Sequence, residues 1–122
     1  MKMPALLSGV LVAAALLAAL PVSAFNLGFL HNAPASYFTE RDWELLRGAV
    51  DQALETSEHG QSVTWENPES GHLGTVTAVK TTQQQNTLCR ELKIYNEVEK
   101  ASAESYYRFC KQSDGSWQAV AP

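Results

Sequence analysis

The chain has no excess of positive charge. Its 122 residues contain 9 Lys and Arg against 13 Asp and Glu, a formal net charge of −4. A nucleic-acid partner would require clustered positive charge to neutralise phosphates, and adhesion to anionic lipid requires the same. The composition therefore predicts neither kind of partner.

The sequence also has no pattern typical of catalysis, phosphate binding or metal binding. His31, His59 and His72 are expected to be solvated residues of a linker or of turns, and none pairs at metal-ligand spacing with His, Cys or a carboxylate. Ser70-Gly71-His72 places a hydroxyl near an imidazole but lacks the strand–turn–helix context of a nucleophile elbow. We predict no enzyme activity, no catalytic residue, no metal and no cofactor.

Cysteine is scarce, and the two that occur are Cys89 and Cys110. An even number of cysteines in an exported chain predicts a disulfide. Catalytic redox pairs are usually separated by two residues, whereas these two lie 21 positions apart. A structural disulfide is therefore expected, and closing that loop stabilises the fold by roughly 3 kcal/mol on the chain-entropy model.

An apolar N-terminal run indicates export. It follows Met1-Lys2, extends from Leu6 to Leu20 and ends at Pro21, before the small residues Val22-Ser23-Ala24. This pattern predicts a secretory signal cleaved after Ala24. An uncleaved membrane anchor is the alternative, because the run is nearly long enough to span a bilayer. Cleavage would leave a periplasmic chain of one domain's size without a stable membrane span.

The chain divides into a signal peptide at 1–24, a linker or arm at 25–36 and a folded domain at 37–122. A helix is expected at the start of the domain, because Thr39 and Asp42 lie at capping-box spacing, and Phe38 and Trp43 at hydrophobic-staple spacing. Its end is expected near residues 56–58. The apolar face, at steps of three and four residues, consists of Trp43, Leu46, Ala49, Val50, Ala53 and Leu54.

After Gly60 the apolar period changes from helical to alternating, which is typical of strands. Five strands are predicted, at 62–66, 74–82, 88–95, 102–111 and 116–120. The expected fold is α+β, with the N-terminal amphipathic helix packed on an antiparallel sheet of about five strands.

The predicted disulfide implies a strand register. If Cys89 faces Cys110, three sensible cross-strand pairs follow: Glu91 with Arg108, Lys93 with Tyr106, and Tyr95 with Glu104. The opposite face then contains the core residues Leu92, Ile94, Tyr107 and Phe109. A two-residue turn at Asp114-Gly115 would place Val120 beside Phe109 and Trp117 on the disulfide side, whereas a three-residue turn would reverse this assignment.

Five residues form a candidate binding surface: Trp65, Asn67, Tyr95, Tyr106 and Trp117. Exposed Trp and Tyr mark binding surfaces because they bury a large area with little loss of entropy. The alternative, which we favour for the aromatic residues, is that they pack on the disulfide and on each other as a second small core, since a small domain uses whatever apolar area it has.

Several short motifs then suggest a family. In chain order they are Trp65 to Gly71, Gly74 to Thr77, Cys89-Arg90-Glu91, Cys110-Lys111 and Asp114 to Trp117. Together they resemble the C-terminal domain of bacterial surface antigens of the rickettsial 17 kDa type. The resemblance implies a Gram-negative envelope protein without established enzymatic activity. The sequence lacks the family's lipoprotein cysteine and glycine-zipper segment, which favours a free periplasmic domain over association with the outer membrane.

These observations lead to three functional hypotheses. The leading one is a non-catalytic exported domain that binds an envelope protein or another envelope component. The second is a soluble periplasmic inhibitor or ligand-binding protein that uses the aromatic face or the Asn67–Gly71 turn. A hydrolase is the third, and it would require a base beside a nucleophile in a polar cleft.

Overall fold

The computed structural model describes Leu27, residues 30–56 and residues 59–120. A short 3₁₀ turn at Pro34–Tyr37 precedes helix α1 (Glu40–Thr56). Five strands follow: β1 (Ser62–Glu66), β2 (Leu73–Gln84), β3 (Thr87–Val98), β4 (Ala101–Lys111) and β5 (Trp117–Val120). The predicted α+β fold is confirmed. The predicted signal peptide and its cleavage site lie outside the described residues.

The five strands form one antiparallel sheet in the order β1-β2-β3-β4-β5. The central strands are longer than predicted because they continue to pair up to tight turns at both ends. Gln84 pairs with Thr87 around Gln85-Asn86, and Val98 pairs with Ala101 around Glu99-Lys100. Gln85 and Asn86 both have positive φ, 52° and 72°, as a type I′ hairpin turn requires.

The register predicted from the disulfide is confirmed. Cys89 and Cys110 are bonded and lie directly opposite each other on β3 and β4. The three predicted cross-strand pairs follow, Glu91 with Arg108, Lys93 with Tyr106, and Tyr95 with Glu104. We call the side of the sheet that contains the disulfide and these pairs the open face, since helix α1 and the 3₁₀ turn contact the sheet from the other side.

The predicted two-residue turn before β5 is wrong. Gln112 donates its N–H to the carbonyl of Ser116 (2.7 Å), so the turn has three residues and ends at Gly115, which has φ 89°. This is the loop in which a left-handed residue follows a type I turn. Trp117 therefore pairs with Lys111 and lies on the helix side, 5 % exposed, and Phe109 pairs with Ala119 instead of Val120.

Helix α1 begins as predicted. The backbone N–H of Thr39 donates to Oδ2 of Asp42 (2.9 Å), and the N–H of Asp42 donates to Oγ1 of Thr39 (3.1 Å), which completes a capping box. Phe38 and Trp43 form the staple, with ring centroids 5.0 Å apart. Two backbone N–H groups at the start of the helix thus find side-chain acceptors within the first turn.

The other end of α1 is held by Arg90 on β3. Its guanidinium donates to the carbonyl of Leu54, in the last turn of the helix, and to Oγ1 of Thr81. The same group lies 5.6 Å from the ring of Trp117, whose Nε1 donates to Glu55 (2.9 Å). A cation at this position is stabilised by the negative end of the helix dipole.

The core lies between the sheet and the layer formed by the arm and α1. From the arm, Leu27, Leu30, Pro34 and Ala35 are buried in it. The largest fully buried apolar side chains come from the helix and the sheet: Phe109, Leu46, Leu54, Leu92, Ile94, Val50 and Val76. Within the described residues, no helix is long and apolar enough to cross a membrane.

Candidate functional site

Asp42 is the centre of the most extensive polar network in the described part of the chain. Its side chain is fully buried, and the capping box already occupies Oδ2 through Thr39. A buried carboxylate is costly unless several donors compensate for the lost water. The turn between β1 and β2 supplies those donors.

Three side chains of that turn contact the carboxylate of Asp42. Asn67 donates Nδ2–H to Oδ1 (2.7 Å), and Ser70 donates its hydroxyl to the same oxygen (2.8 Å). Nδ1 of His72 lies 2.6 Å from Oδ2. The network therefore joins the first turn of α1 to a segment about 30 residues further along the chain.

The turn is held in shape by the same residues. Oδ1 of Asn67 accepts the N–H of Glu69 (3.0 Å), and Oγ of Ser70 accepts the N–H of His72 (3.1 Å). The backbone N–H of Asn67 donates to the carbonyl of His72 (2.9 Å). Asn67 and Ser70 thus both fold the turn and connect it to Asp42.

The hydrogen bonds keep Asp42 ionised. Burial alone raises the pKa of this carboxyl, but the donors from Thr39, His72, Asn67 and Ser70 outweigh it and hold the pKa at about 2. An ionised carboxylate only accepts hydrogen bonds, so Nδ1 of His72 is the protonated nitrogen of the pair. Phe38 stacks on the His72 ring, with centroids 6.3 Å apart.

This arrangement corrects the expectation for His72. Its side chain is only 14 % exposed and is paired with a buried carboxylate, so it is not a solvated turn residue. The geometry differs from that of a catalytic triad, in which the histidine lies between the serine and the acid. Here Ser70 and His72 both contact the same carboxylate. The network is suited to fixing α1 against the β1–β2 turn.

The structure does not bring the five predicted surface residues together. Trp65 and Trp117, 4 % and 5 % exposed, pack in the main core on the helix side, so neither an exposed surface nor the favoured second core on the disulfide describes them. Asn67, 3 % exposed, is buried beside Asp42. Tyr95 and Tyr106 lie on the open face, and Tyr106 is 56 % exposed. A binding role for these two tyrosines remains a prediction.

Sequence reasoning missed the role of Asp42 because the capping box already explained an acid at that position. The remaining signal was in the turn itself, where three side chains that can donate a hydrogen bond, Asn67, Ser70 and His72, occur within six residues. A polar side chain that also bonds its own turn gives no indication of a distant partner. Within the described residues, no group of three His, Cys, Asp or Glu side chains could hold a metal ion.

Comparison with known proteins places this fold in a family. A family model described as "17 kDa outer membrane surface antigen" matches residues 52–118, from the last turn of α1 into β5. The chain belongs to this family. The matched segment contains Asn67, Ser70 and His72, whereas Asp42 lies before it.

Individual relatives agree with the family model. The chain is 36 % identical over 106 residues to the 17 kDa surface antigen of Rickettsia bellii, covering 85 % of this chain and 66 % of the relative. The 17 kDa surface antigens of Rickettsia conorii and Rickettsia felis are 35 % identical over 82 residues, which is 66 % of this chain and 52 % of each relative. The chain therefore spans between half and two thirds of these relatives. No solved structure matches it.

Proposed function

We propose that the chain is an exported, non-catalytic domain of the cell envelope that binds another envelope component through the open face of its sheet. Export is supported by the N-terminal sequence pattern, which favours the periplasm, and the name of the family refers to the outer membrane. Surface antigen, the name given to the relatives, denotes no enzyme activity.

The observation that carries this proposal is the position of Tyr106. It lies on the central part of β4, opposite Lys93 and on the side of the sheet away from α1, and it is 56 % exposed. Tyr95 on β3 belongs to the same face, where it is partly exposed and donates its hydroxyl to Glu97 (2.6 Å). Exposed tyrosines on a rigid surface bind with a small loss of side-chain entropy.

The surroundings of the two tyrosines are rigid. Strands β2, β3 and β4 pair over most of their length, and the disulfide joins β3 to β4 near one end of the face. Ser62 and Thr77 are hydrogen-bonded through their hydroxyls (2.7 Å), which fixes part of the neighbouring surface. Binding at this face would require little reorganisation of the backbone.

Capture from envelope extracts tests the proposal. The tagged protein is used as bait beside a variant with Tyr95→Ser and Tyr106→Ser, and bound proteins and glycans are identified by mass spectrometry. Tyr37→Ser is the matched control, because Tyr37 is also exposed (55 %) but belongs to the 3₁₀ turn on the other side of the domain. We expect the double variant alone to lose a component that the wild type captures.

Equal capture by all three proteins would contradict a role for the open face. The compartment is tested separately by fractionating cells that express the tagged full chain and measuring the intact mass of the product. A soluble periplasmic protein that begins at Phe25 is expected. A membrane-bound product that retains residues 1–24 would contradict the proposed free periplasmic form.

A further inference from the structure

The charges of the open face are segregated along the strand direction. The register places Lys80, Glu91 and Arg108 in one row across β2, β3 and β4, and Lys93 beside Tyr106 in the next. The third row contains Glu104 beside Tyr95. The fourth contains Glu66 and Glu97, each of which pairs with Leu73 from one side. One half of the face thus has three cations and one carboxylate, and the other half has three carboxylates.

We name these regions by their charged residues. The basic half consists of the rows with Lys80, Lys93 and Arg108, and the acidic half consists of the rows with Glu66, Glu97 and Glu104. Lys93 and Glu104 meet at the boundary, where their charged atoms lie 3.9 Å apart and their side chains stay 34 % and 49 % exposed. Both groups are therefore accessible to a partner.

From this arrangement we propose that the open face binds a second copy of this chain, with the two sheets face to face and their strands antiparallel. The inference rests on the proposed function, because it takes the envelope component bound at the open face to be a second copy of this chain. A two-fold axis that lies in the interface and crosses the strands brings the basic half of each copy over the acidic half of the other. An axis along the strands would oppose like charges and is disfavoured.

The size of the face fits such a contact. Strands β2, β3 and β4 have 12, 12 and 11 residues, and β1 and β5 have 5 and 4. At about 3.4 Å per residue and about 4.8 Å between strands, the whole face measures roughly 700 Å². A standard interface buries about 800 Å² on each partner. Stacked sheets lie about 10 Å apart, a distance that Lys, Arg and Glu side chains from two facing sheets can bridge.

The tyrosines lie where this arrangement needs apolar contact. Tyr106 and Tyr95 occupy the two rows on either side of the boundary between the halves, so the two-fold axis passes close to both. Aromatic side chains near the centre of an interface contribute most of its binding energy, whereas charged residues at the rim set orientation and salt dependence. The dimer is therefore expected to be selective in orientation and sensitive to salt.

Charge reversal tests the proposal directly. The protein is purified from the envelope fraction and its mass in solution is measured by sedimentation at low salt and at about 1 M NaCl, where the screening length is about 3 Å. We expect a dimer at low salt whose dissociation constant rises at least tenfold at high salt. One variant combines Lys93→Glu with Arg108→Glu, and a second combines Glu97→Lys with Glu104→Lys.

Each variant has like charges on both halves, so each is expected to be monomeric alone. Mixed in equal amounts, the two variants should form a heterodimer at low salt. The matched control combines Arg41→Glu with Arg47→Glu on helix α1, which makes the same change in net charge away from the open face. This control should dimerise like the wild type, and circular dichroism checks that every variant is folded.

Two results would overturn the inference. One is a wild type that stays monomeric at all concentrations and salt levels, and the other is a dimer that both reversal variants retain. These results leave the proposed function separately testable. A monomer whose capture of an envelope component still depends on Tyr95 and Tyr106 would reject self-association alone, whereas a salt-sensitive dimer with unchanged capture would reject binding of another component at this face.

Discussion

Nδ1 of His72 lies 2.6 Å from Oδ2 of Asp42, and this contact joins the β1–β2 turn to the first turn of helix α1. Asp42 therefore serves two structures at once, as the capping-box partner of Thr39 in its own helix and as the buried acceptor for the turn. Local and long-range structure share one carboxylate, so the charge on that carboxylate should control the stability of the domain.

Acid should destabilise the protein in a defined window. The pKa of Asp42 is about 2 in the folded state against an ordinary value of 3.8, so the unfolded chain binds the proton first. The free energy of unfolding should fall as the pH decreases from about 4 to about 2, by about 2 kcal/mol in total from this group. Urea denaturation at a series of pH values measures this loss.

Asp42→Asn should remove that part of the acid response and lower stability at neutral pH by about 2–4 kcal/mol, because the amide leaves buried donors without an acceptor. Asp51→Asn is the control on the same helix, since Asp51 lies outside the network and its pKa is raised, by partial desolvation and by the nearby Glu55. An acid response that is identical in the wild type and in Asp42→Asn would contradict the assignment.

Gly74 and Gly48 should respond to alanine in opposite directions. A Cβ at position 74 would lie 2.4 Å from the backbone oxygen of Tyr95, which cannot move without breaking the pairing of β2 with β3. Gly74→Ala should therefore cost at least about 2 kcal/mol. A Cβ at Gly48 meets nothing within 4 Å, so Gly48→Ala should stabilise the helix by about 1 kcal/mol. Thermal unfolding of the two variants gives the comparison, and equal shifts would contradict it.

Substitutions at Trp117 and Tyr106 should differ in their effect on stability, because the first residue packs in the core and the second lies on the surface. Trp117 is buried beside Arg90, so Trp117→Ala should lower stability by about 3–5 kcal/mol. Tyr106→Ser changes an exposed residue and should change stability by about 0.5 kcal/mol or less. Chemical denaturation of each variant measures both effects. A Trp117→Ala protein with the wild-type midpoint would show that the helix-side position of Trp117 is wrong.

Reduction of the disulfide should lower stability without unfolding the sheet at room temperature. Cys89 and Cys110 close a loop of 21 residues, for which the chain-entropy model gives roughly 3 kcal/mol. The pairing of β3 with β4 along ten residue pairs remains available to the reduced chain. Urea unfolding with and without reductant tests this, with Cys89→Ala and Cys110→Ala combined as the control that reductant should not affect.

The elements that could be predicted depended on local rules. The capping box and staple located the start of α1, and one cross-strand disulfide determined the register of β3 and β4, because side chains alternate strictly between faces of a sheet. The strand order was not predicted; in the structure consecutive strands are neighbours, as turns too short for any other connection require.

What could not be predicted depended on contacts between distant segments. Asp114-Gly115 suits a two-residue turn and also the end of a three-residue turn, and packing of Trp117 in the core decides between them. The partner of Arg90 could not be identified because it is a helix carbonyl rather than a charged side chain. Likewise, the donors to Asp42 come together only after the β1–β2 turn reaches the helix.

The three-residue turn at Ser113–Gly115 restricts how this domain can vary. If β5 slipped by one position against β4, Trp117 would be exposed on the disulfide side and Gln118 and Val120 would turn toward the helix. A change of loop length at this turn is therefore tolerated only where the loop itself, or a bulge in β4 or β5, takes up the difference. Trp117 and Ala119 then keep their places on the core side.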